Sequence, residues 1–342
     1  MKKKTKKTIL YTLAIIVVCW MLSNIVWKTK AYNTLGMIRE SGYPATCEDM
    51  DKYYEEIPCN PITADLYKDA FKEYSITFED KESEGIPFFS KTEVADMDLE
   101  KTKQLLEANK QASDLLRLGV ASGECKFPLE FDDGYMMLID HLSNIRNGVR
   151  LLVLESVANN SYESMMTAWK FSDSIKNEPV LISYLVRVAS QSLVLENLEH
   201  IDLTADQKLA FIEAIEKSED NQFEMSFVGE RCFASLILTM SYKESKAMDN
   251  GGEAGPALYT LSKGIALPHM NYITMAEYFD KYIENARLPL EERDIDGLEE
   301  AVENESFVQV YVKILMPALS KIFELEEKHI GITQNAIIEL KK

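Results

Sequence analysis

Two stretches of the chain depart from the ordinary mixture of apolar and polar positions, and they set the expected architecture. Ile9–Trp27 runs without a charged residue, and at ~1.5 Å per residue a helix of that length just crosses a hydrocarbon core of about 30 Å. Glu178–His200 has no Gly or Pro after Pro179, and apolar residues cover nearly its whole circumference: Val180, Leu181, Ile182, Tyr184, Leu185, Val186, Val188, Leu193, Val194, Leu195 and Leu198. A helix that is apolar all round has to be surrounded by other helices. Its polar residues are too many for a membrane span, so the pattern predicts the central buried helix of an all-α domain. Asn177 reads as its N-cap and Pro179 as part of its first turn.

Around it, amphipathic segments follow one another. Thr46-Cys-Glu-Asp49 is a capping-box pattern opening a short helix through Tyr54, and Asn60-Pro61 opens another to about Tyr74. Residues 75–91 read as a loop. Leu99, Leu106, Ala112, Leu115, Leu116 and Val120 predict one helix over 94–120, with Asn109 on its apolar stripe, where it is expected to tie a neighbouring loop. Helices over 135–158 and 162–176, separated by Asn159-Asn160-Ser161, predict an antiparallel hairpin of the tetratricopeptide-like (TPR-like) kind, with Gly148 and Ala168 permitting close approach. No second copy recurs at a fixed period, so a full solenoid is not expected. Leu203-Thr204-Ala-Asp-Gln207 begins a helix to about Lys217, and a longer one is expected over 221–248. The run Asp249–Pro256 breaks the chain as a loop. Residues 258–286 should hold one or two helices interrupted at Pro268, and Pro289 should start a short acidic helix. A last helix over 304–329 should kink at Pro317 and end at Gly331. The expected organisation is therefore lysines and anchor in 1–30, an N-terminal helical segment in 31–130, the main α-helical domain in 131–330 and a tail in 331–342.

Composition adds charge to this outline. The 342 residues are 46% hydrophobic and carry a net charge of −19. Seven of the 37 lysines and arginines fall in residues 1–30, where there is no acid. The rest holds 30 basic residues against 56 acidic, a net of −26. So acidic a body repels phosphate backbones and excludes nucleic-acid binding, and it is expected to stand off an anionic membrane surface. Lys2, Lys3, Lys4, Lys6 and Lys7 precede the apolar segment and only Lys28 and Lys30 follow it. That asymmetry predicts a single-pass anchor in the cytoplasmic (inner) membrane of a bacterium, with the N-terminus inside and the body extracytoplasmic, or periplasmic. Trp27 lies where an interfacial anchor would. The rival reading is a cleaved signal peptide, against which stand a long apolar region and no small-x-small cleavage site. In an exported protein Cys47 and Cys59 are either a disulfide closing a short loop or two free thiols, and both readings stay open.

Several stretches together resemble a known family. They are Ser41-Gly-Tyr-Pro44 before a short helix, Asn109 in a helix ending near Cys125-Lys-Phe-Pro-Leu129, the run Asn177–Ala189, the Leu203–Gln207 start, Gly229-Glu-Arg231, and Leu315-Met-Pro-Ala-Leu319. The chain is similar over residues 8–330 to a family of uncharacterised, membrane-anchored, all-helical bacterial proteins. The resemblance implies the fold and brings no activity, cofactor or partner with it.

Candidate chemistry is sparse. The four histidines, His141, His200, His269 and His329, show no metal-ligand spacing beyond Glu196 and His200 at i, i+4, which reads as a surface pair. No phosphate-binding, dinucleotide-binding, nucleophile-elbow or CxxC motif occurs. Arg187 stands out because it sits mid-helix in the most apolar segment and must be paired. Glu155 and Glu230 are its candidate partners, in a buried network fixing helix register. No catalytic, metal or cofactor residue is predicted. The expected function is a membrane-anchored extracytoplasmic helical interaction or scaffold protein, held by residues 9–27 and meeting an unknown protein partner. The alternative is a carboxylate-dependent hydrolase of the cell envelope drawing on Glu155, Glu178, Glu230 and His200.

Overall fold

The computed structural model describes residues 2–75, 83–218, 221–239, 263, 266–306 and 308–342, and among them every regular element is a helix. They fall into two contact units built from separated stretches. One comprises Met1–Tyr53, Glu130–Met137 and Phe227–Phe323, the other Tyr54–Leu129, Leu138–Ser226 and Glu324–Lys342. The end of the helix expected over 221–248, the Asp249–Pro256 loop and the start of the 258–286 segment lie outside the described residues.

In the first unit, α1 (Lys2–Glu40) is one unbroken helix. Its residues 11–26 expose their large apolar side chains, and it is the one described helix long and apolar enough to cross a membrane. Further along the same helix Ala31, Leu35 and Ile38 are buried, at the i, i+4, i+7 spacing of a single face. That face packs along the helix Leu267–Arg287. After α1 the chain turns at Gly42, whose φ of 88° suits a residue without a Cβ. Then α2 (Cys47–Glu55) begins with the expected capping box: Thr46 Oγ1 accepts from Asp49 N–H at 3.3 Å and Asp49 Oδ2 accepts from Thr46 N–H at 3.1 Å. Phe227, Tyr282 and Phe323 stack with centroids 5.2–5.9 Å apart. Pro268 opens Leu267–Arg287 instead of interrupting it, because a proline in the first turn lacks only an N–H that has no helical partner.

The second unit is layered on α8 (Leu181–Glu196). Asn60 caps α3 (Pro61–Lys72), which packs on α5 (Lys110–Ser122). The single helix expected over 94–120 is divided into α4 (Leu99–Ala108) and α5, with Asn109 between them. The cause is Asn109 itself. Its Oδ1 accepts from Ser75 N–H at 2.8 Å, while its Nδ2 donates to Leu105 O at 2.8 Å and Ser75 O at 3.3 Å, so the side chain ties the neighbouring loop as expected. The hairpin of α6 (His141–Asn159) and α7 (Tyr162–Ser172) turns on a left-handed Asn160 and a Ser161 N-cap. Gly148 is what allows these helices to touch, since a Cβ there would lie 2.6 Å from Phe171 Cε1. α6 starts six residues later than its apolar pattern indicates, because Phe131–Met136 forms a 3-10 segment kinked at Gly134.

Most of α8 is buried, including Leu181, Tyr184, Val186, Val188, Val194 and Leu195, and only Ile182, Ala189 and Glu196 form a narrow exposed line. It begins at Leu181 with an extended Val180 before it, so Asn177 and Pro179 lie in the preceding turn and not in the helix. After it come the turn Leu198–His200, α9 (Ala205–Lys217) with both halves of its capping box formed, and α10 (Gln222–Ser235). The last helix runs Val310–Leu340 without ending at Gly331, which has an ordinary helical backbone and nothing near its missing Cβ.

Candidate functional site

Arg187, Gln191 and Ser183 share one face of α8 at i, i±4, a polar stripe on an otherwise apolar rod. Arg187 Nε donates to Asp173 Oδ1 at 2.9 Å, its Nη1 to Gln222 Oε1 at 3.0 Å, and its Nη2 to Ser218 O and Oγ at 2.7 and 3.0 Å. Asp173 also accepts from Gln191 Nε2 at 2.8 Å and from Ser218 Oγ at 2.6 Å. Burial pushes the Asp173 carboxyl above its ordinary range, and Arg187 and Ser218 oppose that rise. The network joins the central helix to the 3-10 turn after α7 through Asp173, to the C-cap of α9 through Ser218, and to the first residue of α10 through Gln222.

Of the partners expected for Arg187, Glu155 accepts from Arg117 Nη2 at 2.6 Å. The partner that pattern reasoning missed, Asp173, lies in a short 3-10 turn where helical spacing gives no guide. Gln191, one turn from Arg187, was the readable sign of a polar face.

At the other end of the stripe, Ser183 Oγ donates to Glu178 Oε2 at 2.5 Å and His141 Nε2 lies 2.8 Å from Glu178 Oε1, with the imidazole stacked on Phe127 at 4.3 Å. Glu178 is buried. The residue types are those of a hydrolytic triad, but the order is not. A serine nucleophile needs its hydroxyl on the imidazole, and here the hydroxyl is committed to the carboxylate. Gln222 Nε2 links the two halves by donating to Ile175 O and Glu178 O. The whole array is a satisfied buried network of the kind that specifies one packing.

A surface feature of the same unit differs in character. A groove of 650 Å³ lies between the end of α8, the turn Leu198–His200, the start of α9 and the stretch Ile332–Leu340. Leu195, Leu198, Ile201 and Leu340 form its floor, while Glu196, Glu199, Asp202 and Glu339 stand exposed on its rim with Lys208 as the one base. One turn before it, His329 Nδ1 lies 3.1 Å from Ser192 Oγ, and burial together with the Arg187 charge lowers the His329 pKa to about 4. Glu326, on the adjoining turn, has a buried Oε2 with no hydrogen-bond partner, and burial raises its pKa to about 7. His200 is next to Glu199 at 3.9 Å. No group of three or more His, Cys, Asp or Glu side chains converges as a metal site among the described residues.

Cys47 and Cys59 are both free thiols, so the disulfide weighed for them is not formed. The Cys47 thiol donates to the carbonyl of Cys232 at 3.6 Å, and burial, assisted by Asp132 and Asp51, pushes its pKa up to about 12.

Comparison of the chain with protein-family models, with curated proteins and with solved structures finds no match. The functional reading therefore stands on the geometry alone.

Proposed function

We propose that the chain is a single-pass, membrane-anchored helical interaction protein, its TPR-like hairpin unit held outside the cytoplasmic membrane. The observation that carries this reading is α1: an exposed apolar length whose direct continuation is a core element of the first unit. A leader cleaved before Ala31 would leave that core intact, so what favours an uncleaved anchor is the long apolar region with no small-x-small site after it. Five lysines before the span against two after it favour an inside N-terminus. On this reading one expectation changes. Ala31 is buried four residues beyond Trp27, so the first unit starts at the membrane boundary and does not stand off it.

The groove supports the interaction role. Its apolar floor and acidic rim complement a basic amphipathic helix, which would lay its apolar face on Leu198 and Ile332 and its lysines against Glu196 and Glu199. The hydrolase alternative has less to draw on, because Glu155 and Glu178 each hold a partner of their own and Ser183 faces away from His141 chemically.

Binding of two designed peptides to the full chain in nanodiscs tests this. One is an amphipathic helix with a lysine polar face, the other the same helix with glutamate. Wild-type protein is expected to take only the lysine peptide, and the rim reversal Glu196→Lys with Glu199→Lys to invert the preference. Equal binding of both peptides, or a reversal that changes nothing, contradicts the reading.

A further inference from the structure

Within the second unit, the chain entering α3 and the chain leaving α5 run side by side in opposite directions. Asn60, extended ahead of α3, donates its N–H to Glu124 O at 2.9 Å and its Nδ2 to Ser122 O at 2.8 Å. Further back, Ile57 O accepts from Lys126 Nζ at 3.2 Å, and the same ammonium reaches Tyr54 O and Glu55 O at 3.2 and 2.9 Å. Tyr54 Oη donates to Phe127 O at 2.9 Å. Position 54 meets 127, position 57 meets 126 and position 60 meets 124, so the numbering falls on one side as it rises on the other. Cys59 and Cys125 are the residues that this register sets opposite each other.

The register also carries a spacing. In antiparallel chains, the pair next to a hydrogen-bonded one such as Asn60 and Glu124 has Cα atoms about 4.5 Å apart, with both side chains on one face. A disulfide spans Cα separations of about 4.4–6.8 Å. Both residues are thiols in this structure, Cys125 buried in the core of the unit and Cys59 half-buried. Burial pushes the Cys125 thiol above its ordinary range, and Glu178 and then Cys59 add to that rise. Cys47, the partner that nearness in sequence suggests for Cys59, is turned elsewhere. Its thiol donates to Cys232 O at 3.6 Å, and the Cys232 thiol donates to Pro44 O at 3.4 Å.

We propose that Cys59 and Cys125 close a disulfide that ties the start of α3 to the chain leaving α5. The inference rests on the extracytoplasmic placement proposed above, because a body outside the membrane meets an oxidising compartment. The oxidant is a protein disulfide of that compartment, for which glutathione disulfide substitutes in solution. Cys59, the more accessible thiol, attacks it as the thiolate and displaces one sulfur, leaving a mixed disulfide. Cys125 then attacks the Cys59 sulfur and releases the other. One S–S bond forms and one breaks, two electrons pass to the oxidant, and the two thiol protons end on its two sulfurs. Since α3 and α5 already pack on each other, the bridge fastens an existing contact.

The test has two arms on the full chain. In one, cells are quenched in acid, free thiols are blocked with N-ethylmaleimide, and the protein is digested without reduction for mass spectrometry. In the other, the purified, reduced chain in nanodiscs is equilibrated with oxidised and reduced glutathione before the same blocking. Both arms are expected to give a peptide pair linked through Cys59 and Cys125 that separates on reduction. Cys47→Ala should keep that link, and Cys59→Ser, at the half-buried position, should lose it. Linkage of Cys59 to Cys47 or Cys232, loss of the link in Cys47→Ala, or a fully alkylated Cys59 in the glutathione arm overturns the pairing. A link that forms with glutathione while cells hold both thiols alkylated overturns the placement of the body outside the membrane and leaves the pairing standing.

Discussion

Arg187 brings a permanent charge into the second unit at 5% exposure, and among the described residues its donors reach the Asp173 carboxylate, the Gln222 amide and the hydroxyl and carbonyl of Ser218. A buried ion pair contributes little net stability against an apolar replacement, but removing one member leaves the other charge buried and unpaired. Arg187→Met is therefore expected to lower unfolding stability by roughly 3 kcal/mol through the orphaned Asp173, and Asp173→Leu in the same chain to restore most of it. Chemical denaturation read by circular dichroism checks both. A single variant as stable as wild type would show that the network bears no weight. That Arg187 must be paired was legible in the sequence, and its partner was not. Spacing along a helix locates neighbours at i±3 and i±4. Asp173 lies 14 positions away, across a turn whose geometry depends on how α7 and α8 pack.

At the scale of elements, capping chemistry was the most readable signal. Thr46, Asn60 and Thr204 each cap where their side chains predict, because the cap is a local hydrogen bond that needs no tertiary information. Ends set by packing were less readable: Gly331 breaks nothing, Pro179 lies outside α8, and Asn109 divides a helix that its hydrophobic spacing runs straight through. The C-terminal helix carries a consequence for pH. Glu326 titrates near 7 in the folded protein against 4.5 when unperturbed, so its contribution is intact below 4.5 and is lost as the pH rises to about 7. His329 titrates near 4 against 6.5, so its contribution is intact above 6.5 and is lost as the pH falls to about 4. The two losses run in opposite directions and largely cancel in the wild type. Glu326→Gln removes one of them. It is expected to stabilise the protein by roughly 2–3 kcal/mol at pH 8 and to change little at pH 4. Thermal melts at the two values decide it, and a gain confined to the acid side would reverse the assignment.

For the whole molecule, the all-helical class and the apolar N-terminal helix follow from hydrophobic periodicity alone. The assembly of each unit from separated stretches of chain does not, because nothing in a local pattern says that residues 31–40 and 267–287 share a core. That shared core gives α1 a second role, since its exposed apolar length and the residues meeting Leu267–Arg287 lie on one helix with no joint between them. Hydrogen exchange of the full chain in nanodiscs measures this directly. Amides from residue 11 through 40 are expected to be protected without interruption, those of 31–40 as slowly exchanging as those of Leu267–Arg287. A fast-exchanging gap between Trp27 and Ile38 would mean a flexible linker, and would contradict the anchored core.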